Sequence, residues 1–238
     1  AIYMVLSSKY NVRKNKNTFN TEYGICLDLL NINETGKSNG RHSVFSWFKI
    51  VMKGFVDAVF SKEKYEKLVL ELGLDKPGDM DLILKVVRPS VQVVTGITLN
   101  HVEFGFTSEQ EIWNEKKKLV YALKKDGIAI LNSDDKYISE EIDKLQCKVF
   151  TFGEKNKKYD LKASIISNTS AGLEIEFTHK AKKVYGKFNI LGSFHSLVLN
   201  AAIDTSISCG MDIEETVVIL EKFQLPEHRM TRLDGING

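Results

Sequence analysis

Two side chains at the ends of apolar runs have the chemistry of a divalent-metal site. Glu71 ends one such run, and His101 follows the next one after a short loop. If both runs are strands of one parallel sheet, their carboxyl ends lie side by side at the edge where open α/β sheets bind ligands. Each residue alone is a weak signal, because acids that cap strands and solvated loop histidines are both common. Together, Glu71 and His101 predict a metal site at that edge.

A third side chain, Lys116, falls on the apolar face of a predicted helix. It keeps the helical register of Ile112 and Leu119, so its side chain points towards the core. A buried ammonium is costly without a partner, and a lysine held in an acidic, metal-bearing crevice loses its charge more easily. A neutral amine can take up CO2 to form a carbamate, an anionic metal ligand. The alternative is a lysine whose stem lies on the apolar surface while its ammonium reaches solvent.

The elements that position these residues alternate between strand-like and helix-like segments. The predicted strands are Tyr10–Arg13, Lys67–Glu71, Val91–Thr95, Gly127–Leu131 and Lys148–Phe152. The predicted helices are Glu22–Ile32, Asp79–Val87, Ser108–Lys125, Ser139–Leu145, Ser193–Cys209 and Ile213–Phe223. The middle strands are almost entirely apolar, as in parallel sheets that are covered on both faces. The pattern therefore predicts an α/β fold with a mostly parallel sheet and helices on both faces.

The stretch Asp160–Ile190 has a different pattern. Apolar and polar residues alternate around Leu173–Thr178, and turn residues occupy Asn168–Gly172. This alternation is typical of antiparallel hairpins. We expect a small antiparallel sheet appended to the main one.

Composition excludes several classes of protein. The chain has 238 residues with 33 basic and 31 acidic side chains, so its net charge of +2 is too small for a bulk nucleic-acid binder. Three widely spaced cysteines fit a reducing compartment better than a disulfide scaffold. No apolar run reaches the length of a membrane span. We therefore expect a cytoplasmic protein with no nucleic-acid partner.

The segment Ser43–Phe60 is unusually apolar for a surface helix. Its apolar residues cover most of the helical surface, and Lys49, Lys53 and Asp57 form one narrow polar stripe. The favoured interpretation is a helix packed on the domain. The alternative is a peripheral membrane helix, with Trp47 in the lipid headgroup layer and lysines facing anionic lipid.

Several ordered motifs together resemble the central domain of the Mur ligases. The first two are FNTExG at Phe19–Gly24 and ELGxDxPG at Glu71–Gly78. The others are Arg88-Pro89, Val94-Thr95-Gly96-Ile97, Asn100–Gly105, Gly127–Asp135, Leu191–His195, Asn200–Ala202 and Pro226 with Arg229. They span almost the whole chain. The first two motifs favour the member of the family that adds D-Ala-D-Ala to a UDP-MurNAc-peptide.

The resemblance implies a fold, a reaction and a metal site. The fold is P-loop NTPase-like, within a three-domain enzyme that acts in peptidoglycan precursor synthesis. Its reaction activates a substrate carboxylate with ATP as an acyl phosphate, which an amine then attacks to form an amide. Two Mg²⁺ ions would be held by Glu71, His101 and a carbamylated Lys116, with Lys116 and His101 as the catalytic residues. Such ions draw charge off the phosphates in the transition state.

The resemblance also assigns residues to the nucleotide and the substrate. Asn200, His195 and Arg229 match positions that contact ATP. Asn20 and Thr21 match the loop near the phosphates and the substrate carboxylate. Ser196 departs from the pattern, because the family usually has asparagine after the histidine.

The two ends lead us to expect a piece of a longer polypeptide. The chain opens inside an apolar helix at Ala1–Leu6 and closes on a turn-rich tail. By resemblance, residues 1–226 are the central ATP-binding domain without its phosphate loop, and residues 227–238 are a linker to a third domain. We expect this piece alone to be inactive, to bind ATP weakly and to be a monomer.

Two alternative functions remain compatible with the sequence. One is another ligase of the same type, such as MurE, a folylpolyglutamate synthase or a cyanophycin-type enzyme. The other is a non-catalytic module that has lost the phosphate loop.

Overall fold

The computed structural model describes residues 1–15, 20–30, 48–49, 51–56, 65–99, 105–155 and 159–226. The strands are β1 (Val12–Lys14), β2 (Lys67–Val69), β3 (Val91–Val94), β4 (Ile128–Asn132), β5 (Lys148–Gly153), β6 (Leu161–Thr169), β7 (Gly172–His179) and β8 (Lys182–Phe188). The helices are α1 (Ile2–Leu6), α2 (Glu22–Leu29), α3 (Asp79–Val86), α4 (Glu109–Tyr121), α5 (Lys136–Ser139), α6 (His195–Ser208) and α7 (Ile213–Leu220), with a 3₁₀ turn at Ile142–Lys144.

Six of these strands form one sheet in the order β3-β4-β5-β6-β7-β8, and β1 pairs with β2 in a separate parallel ribbon. The strands from β3 to β6 run parallel, whereas β6, β7 and β8 are antiparallel. The predicted mixture of parallel and antiparallel strands is therefore confirmed. The antiparallel strands are appended directly to the main sheet, because Leu161 of β6 pairs with Phe152 of β5.

The main sheet is covered on both faces, as the apolar middle strands predicted. Along β4, Ile130 points into a core shared with α1, α6 and α7. Its neighbours Ala129 and Leu131 point into the other core, which is shared with α3, α4 and α5. Side chains alternate between the faces of a strand, so a strand buried on both sides must be apolar throughout.

One predicted helix is wrong in its position. The expected helix Ser139–Leu145 is replaced by α5, which begins at Lys136, and by the 3₁₀ turn. The cause is Asp135, whose carboxylate accepts hydrogen bonds from the backbone N–H groups of Tyr137 and Ile138. An aspartate in this N-cap position starts a helix by satisfying its free N–H groups.

The described part of the unusual apolar segment is helical at residues 48–49 and 51–56. Gly54 is buried and lies against Leu30, whereas Phe48, Val51 and Phe55 are about 60% exposed. The helix therefore contacts the domain at Gly54, as the favoured interpretation expects, although these three apolar side chains face outward. The remainder of Ser43–Phe60 lies outside the described residues. Within the described ranges, every helix is too short or too polar to cross a bilayer.

Candidate functional site

A pocket of about 350 Å³ lies at the carboxyl ends of three neighbouring parallel strands. The loop Thr95–Thr98 follows β3, Asp134 and Asp135 follow β4, and Glu154 and Lys155 follow β5. The first turn of α6 closes the fourth side. In open α/β sheets this edge is the usual position of a ligand, because the loops that follow the strands converge there.

Two adjacent aspartates fix the loops around the pocket. The carboxylate of Asp135 accepts a hydrogen bond of 2.7 Å from the backbone N–H of Ile97, in the loop after β3. The carboxylate of Asp134 accepts hydrogen bonds from the N–H groups of Glu154 and Lys155, in the loop after β5. The end of β4 therefore holds both neighbouring loops through charge-assisted hydrogen bonds, which are stronger than neutral ones.

Asn132 and Gly153 complete this arrangement. The Asn132 side chain donates a hydrogen bond of 2.9 Å to the carbonyl oxygen of Thr95 and accepts one of 3.0 Å from the N–H of Asp134. A Cβ atom at Gly153 would lie 2.9 Å from the Asp134 carboxylate. Position 153 therefore needs glycine for the close approach of these two strand ends.

The start of α6 is joined to the pocket through a hydroxyl group. Ser196 Oγ donates a hydrogen bond to the Glu154 carboxylate. Ser193 and Phe194 also line the pocket, and the Phe194 ring is more than half exposed. The pocket thus offers one exposed aromatic ring and a wall of hydroxyl and carboxylate groups.

Lys116 lies beside this pocket, on α4. Its ammonium donates a hydrogen bond of 3.3 Å to the carbonyl oxygen of Gly96, a pocket residue. Burial lowers the pKa of Lys116 below its usual range, and the nearby Asp135 carboxylate offsets part of that shift. The inward-pointing lysine predicted from the sequence is confirmed in position. An amine with a lowered pKa is more often neutral, as carbamate formation requires.

Glu71 and Asn20 lie together at the end of β2. The N–H of Gly73 donates a hydrogen bond of 2.8 Å to the Asn20 carbonyl, and the Glu71 side chain is exposed. Leu74 packs in the same core as Ile97 and Ile112, so this segment shares its support with the loop after β3 and with α4. Thr21 follows as the N-cap of α2.

The predicted strand neighbours of Glu71 differ from the observed pairing. We expected the strand that ends at Glu71 to lie next to β3. In the described part of the chain, β2 pairs with β1 and β3 pairs with β4. His101 lies outside the described residues, so its approach to Glu71 and Lys116 stays a prediction.

The predicted nucleotide residues on α6, His195 and Asn200, are buried. A ring nitrogen of His195 lies 2.8 Å from the carbonyl oxygen of Leu191, and Asn200 is completely buried. Of the described residues, the pocket is lined from α6 by Ser196 and Leu197 and not by either of these two. Arg229 lies outside the described residues.

The described residues fit part of a magnesium site. Glu71 offers a carboxylate, and Lys116 would offer an oxygen ligand once carbamylated; both suit the hard Mg²⁺ ion. Within the described ranges, no three His, Cys, Asp or Glu side chains cluster tightly enough to hold a metal. The donor set is thus compatible with magnesium only if residues outside those ranges contribute.

The sequence interpretation missed the structural roles of Asn132, Asp134 and Asp135. The signal was present as an Asn-x-Asp-Asp run directly after the most apolar strand. Polar side chains at the carboxyl end of a buried strand have little reason to be there unless they bind a ligand or neighbouring loops.

Comparison with known proteins identifies the family of this chain. The family model of the Mur ligase middle domain matches residues 55–205, which is well over half of the sequence. The chain belongs to the Mur ligase middle-domain family. The resemblance inferred from the ordered motifs is confirmed.

Individual relatives of this Mur ligase domain agree with that result. It is 26% identical over 165 residues to the UDP-N-acetylmuramoyl-tripeptide–D-alanyl-D-alanine ligase (MurF) of Buchnera aphidicola, a match that covers 69% of the chain and 35% of the relative. Other relatives are named as L-alanine or 2,6-diaminopimelate ligases. The chain spans about a third of the length of these relatives.

Solved structures show the same fold. MurF from Acinetobacter baumannii superposes with a TM-score of 0.77 at 16% identity, over 99% of this chain and 45% of that one. MurF from Thermotoga maritima in complex with ADP superposes with a TM-score of 0.73 at 20% identity, over 96% of this chain and 45% of the MurF chain. The predicted α/β fold of this Mur ligase domain is therefore confirmed.

Proposed function

We propose that the intact protein is an ATP-dependent amide ligase that adds D-Ala-D-Ala to a UDP-MurNAc-peptide. Membership of the Mur ligase family supports this, as does the name of the Buchnera relative. The single observation that carries the proposal is the pocket at the ends of β3, β4 and β5, with Lys116 hydrogen-bonded to its wall.

The proposed reaction has two steps. A carboxylate oxygen of the UDP-MurNAc-peptide attacks the γ-phosphorus of ATP, which releases ADP and forms an acyl phosphate. The amine of D-Ala-D-Ala then attacks the acyl carbon, loses a proton and displaces phosphate, leaving an amide. The protein contributes mainly by positioning the reacting groups and by stabilising the negative charge that develops.

The pocket is the proposed position of ATP. The Thermotoga relative was solved with ADP, and the fold of this chain superposes on it. Lys155 and the exposed Phe194 ring lie in the pocket wall, where a cation and an aromatic face suit a phosphate and a purine base. We include His195, Asn200 and Arg229 as ATP-site residues, with His195 and Asn200 on α6, the helix whose first turn lines the pocket.

Magnesium is the proposed metal, with two ions held by Glu71, His101 and carbamylated Lys116. When bound, Mg²⁺ neutralises charge on the phosphates and on the acyl oxygen. Lys116 contributes by losing a proton and taking up CO2 as a carbamate, which turns a cation beside Gly96 into an anion. The lowered pKa of Lys116 supports this step, because only the neutral amine reacts with CO2.

Asn20 and Thr21 are the proposed contacts to the peptide substrate. The hydrogen bond from the Gly73 N–H to the Asn20 carbonyl holds Asn20 near the strand end that carries Glu71, which supports neighbouring positions for the substrate and the metal. Residues 1–226 would form the ATP-binding domain and residues 227–238 a linker. We propose a cytoplasmic monomer, as free nucleotide and peptide substrates require no partner subunit.

A panel of amine substrates tests this function. The full-length protein is incubated with Mg-ATP, UDP-MurNAc-tripeptide and one amine, and ADP release is measured. We expect ADP release only with D-Ala-D-Ala. The second candidate function is another Mur ligase, which the names of the other relatives favour. ADP release with 2,6-diaminopimelate or L-alanine, each tested with its matching shorter UDP-MurNAc acceptor, would support that candidate. ADP release in the absence of any amine would contradict both candidate functions.

A further inference from the structure

We propose that the helical segment at residues 48–49 and 51–56 binds an anionic phospholipid surface and lies in the plane of the membrane. Its apolar face consists of Phe48, Val51, Met52, Phe55 and Val56. The inference depends on exposure and charge in this segment and not on the ligase reaction.

The apolar face is continuous and points away from the domain. Its five members are spaced by three, one, three and one residues, which places them on one side of an α-helix. All five are exposed; Phe48, Val51 and Phe55 reach 61%, 62% and 61%. Gly54 lies outside this arc and is buried against Leu30 of the domain. Contiguous exposed apolar patches on a monomer usually mark an interaction site.

In the described part of this segment, the charged residues beside the apolar face are Lys49 and Lys53. Lys49 and Lys53 are both exposed and lie one turn apart along one border of the face. From Glu34 to Asp57 the sequence contains four basic residues, Lys37, Arg41, Lys49 and Lys53, against the two acidic ones at its ends. This stretch of sequence therefore accounts for the whole net charge of +2.

This combination fits a lipid surface better than a second copy of the chain. Two copies that met through their apolar faces would bring the same lysines together, and like charges at a desolvated contact oppose pairing. An anionic lipid surface accepts both features at once, since acyl chains receive the apolar side chains and headgroups pair with the lysines. One short helix gives reversible attachment, which is the mode expected of a peripheral protein.

Vesicle co-sedimentation with matched variants tests the proposal. The full-length protein is mixed with vesicles of phosphatidylglycerol and phosphatidylcholine, or of phosphatidylcholine alone. Val51→Glu is compared with Val218→Glu, which changes another exposed valine, on α7. We expect binding to the anionic vesicles, a loss of about tenfold or more for Val51→Glu, and no change for Val218→Glu.

The charge requirement is tested with a second pair of variants. Lys49→Gln with Lys53→Gln should weaken the partition onto anionic vesicles about 30-fold, since each basic residue near such a surface contributes about 1 kcal/mol. The control, Lys124→Gln with Lys125→Gln, changes two exposed lysines elsewhere and should bind like the wild type.

Three results would overturn the proposal. The first is a wild-type protein that sediments with neither kind of vesicle. The second is equal binding by Val51→Glu and the wild type. The third is a concentration-dependent dimer in sedimentation velocity that Val51→Glu dissociates while no lipid binding is seen, because the apolar face would then belong to a second copy.

Discussion

Asp135 and Ile97 join two neighbouring strand ends through a hydrogen bond of 2.7 Å from the Ile97 N–H to the Asp135 carboxylate. The same carboxylate caps α5. One side chain therefore both starts a helix and holds the loop that forms a wall of the pocket.

Replacing Asp135 by alanine should weaken both the fold and nucleotide binding. The change removes a helix cap and leaves the Ile97 N–H without its acceptor, which costs about 1–3 kcal/mol in the free energy of unfolding. The matched control is Asp212→Ala, since Asp212 caps α7 in the same way but does not line the pocket. Urea denaturation and Mg-ATP titration of the full-length variants should show lower stability in both and weaker binding only in Asp135→Ala. Equal ATP affinity in the two would contradict the role of Asp135 at the pocket.

The contact between Gly153 and Asp134 predicts an unequal effect of two glycine substitutions. A Cβ at Gly153 would lie 2.9 Å from the Asp134 carboxylate, whereas one at Gly96 would have its nearest neighbour at 3.7 Å, an ordinary contact. Gly153→Ala should therefore lower the free energy of unfolding by about 1–3 kcal/mol, the usual cost of overpacking. Gly96→Ala should leave it nearly unchanged. Comparable losses in the two variants would show that the close approach is not what requires glycine.

These hydrogen bonds mark the limit of what the sequence could predict. The apolar run at Val91–Val94 was enough to predict β3, because a strand buried on both faces requires apolar residues throughout. The order of strands was not predictable in the same way: nothing in the residues of β2 indicates that it pairs with β1 instead of β3. Likewise, the roles of Asp134 and Asp135 depend on backbone groups that lie some 20 and 38 positions away.

Lys116 and its neighbour Lys117 should differ sharply in their effect on catalysis. Arginine at position 116 keeps the positive charge but cannot form a carbamate, so Lys116→Arg should lower kcat by about 100-fold or more. Lys117→Arg, one residue away on α4, is the control and should retain kcat. Incubation with ¹³C-bicarbonate should also give a carbamate resonance that Lys116→Arg lacks. A Lys116→Arg enzyme with normal kcat would exclude the proposed carbamate.

Asp204 should make the protein less stable as the pH rises. Burial raises the pKa of Asp204 to about 8 from its ordinary value of 3.8, and the negative charge of Asp160 adds to the shift. Between these two pH values the folded state holds a proton that the unfolded state has lost, so this group lowers the free energy of unfolding by up to about 1.4 kcal/mol per pH unit. Below pH 4 and well above pH 8, Asp204 has the same charge in the folded and unfolded states, so its contribution to the free energy of unfolding no longer changes with pH.

Asp204→Asn should remove that pH dependence. The variant keeps the size of the side chain but does not titrate, so it should gain stability relative to the wild type at pH 8 and much less at pH 5. Asp143→Asn, at an exposed aspartate, is the control. Urea denaturation at the two pH values measures the difference. A gain that is equal at pH 5 and pH 8 would show that the titration of Asp204 is not its cause.

Transfer of an oxygen atom tests the proposed acyl phosphate most directly. The terminal carboxylate of UDP-MurNAc-tripeptide is labelled with ¹⁸O, and the full-length protein is incubated with it, Mg-ATP and D-Ala-D-Ala. If the carboxylate attacks ATP, one labelled oxygen must leave with the phosphate, and ³¹P NMR should show ¹⁸O in the inorganic phosphate as the amide forms. Unlabelled phosphate accompanying amide formation, or ATP hydrolysis without amide, would contradict the ligase mechanism.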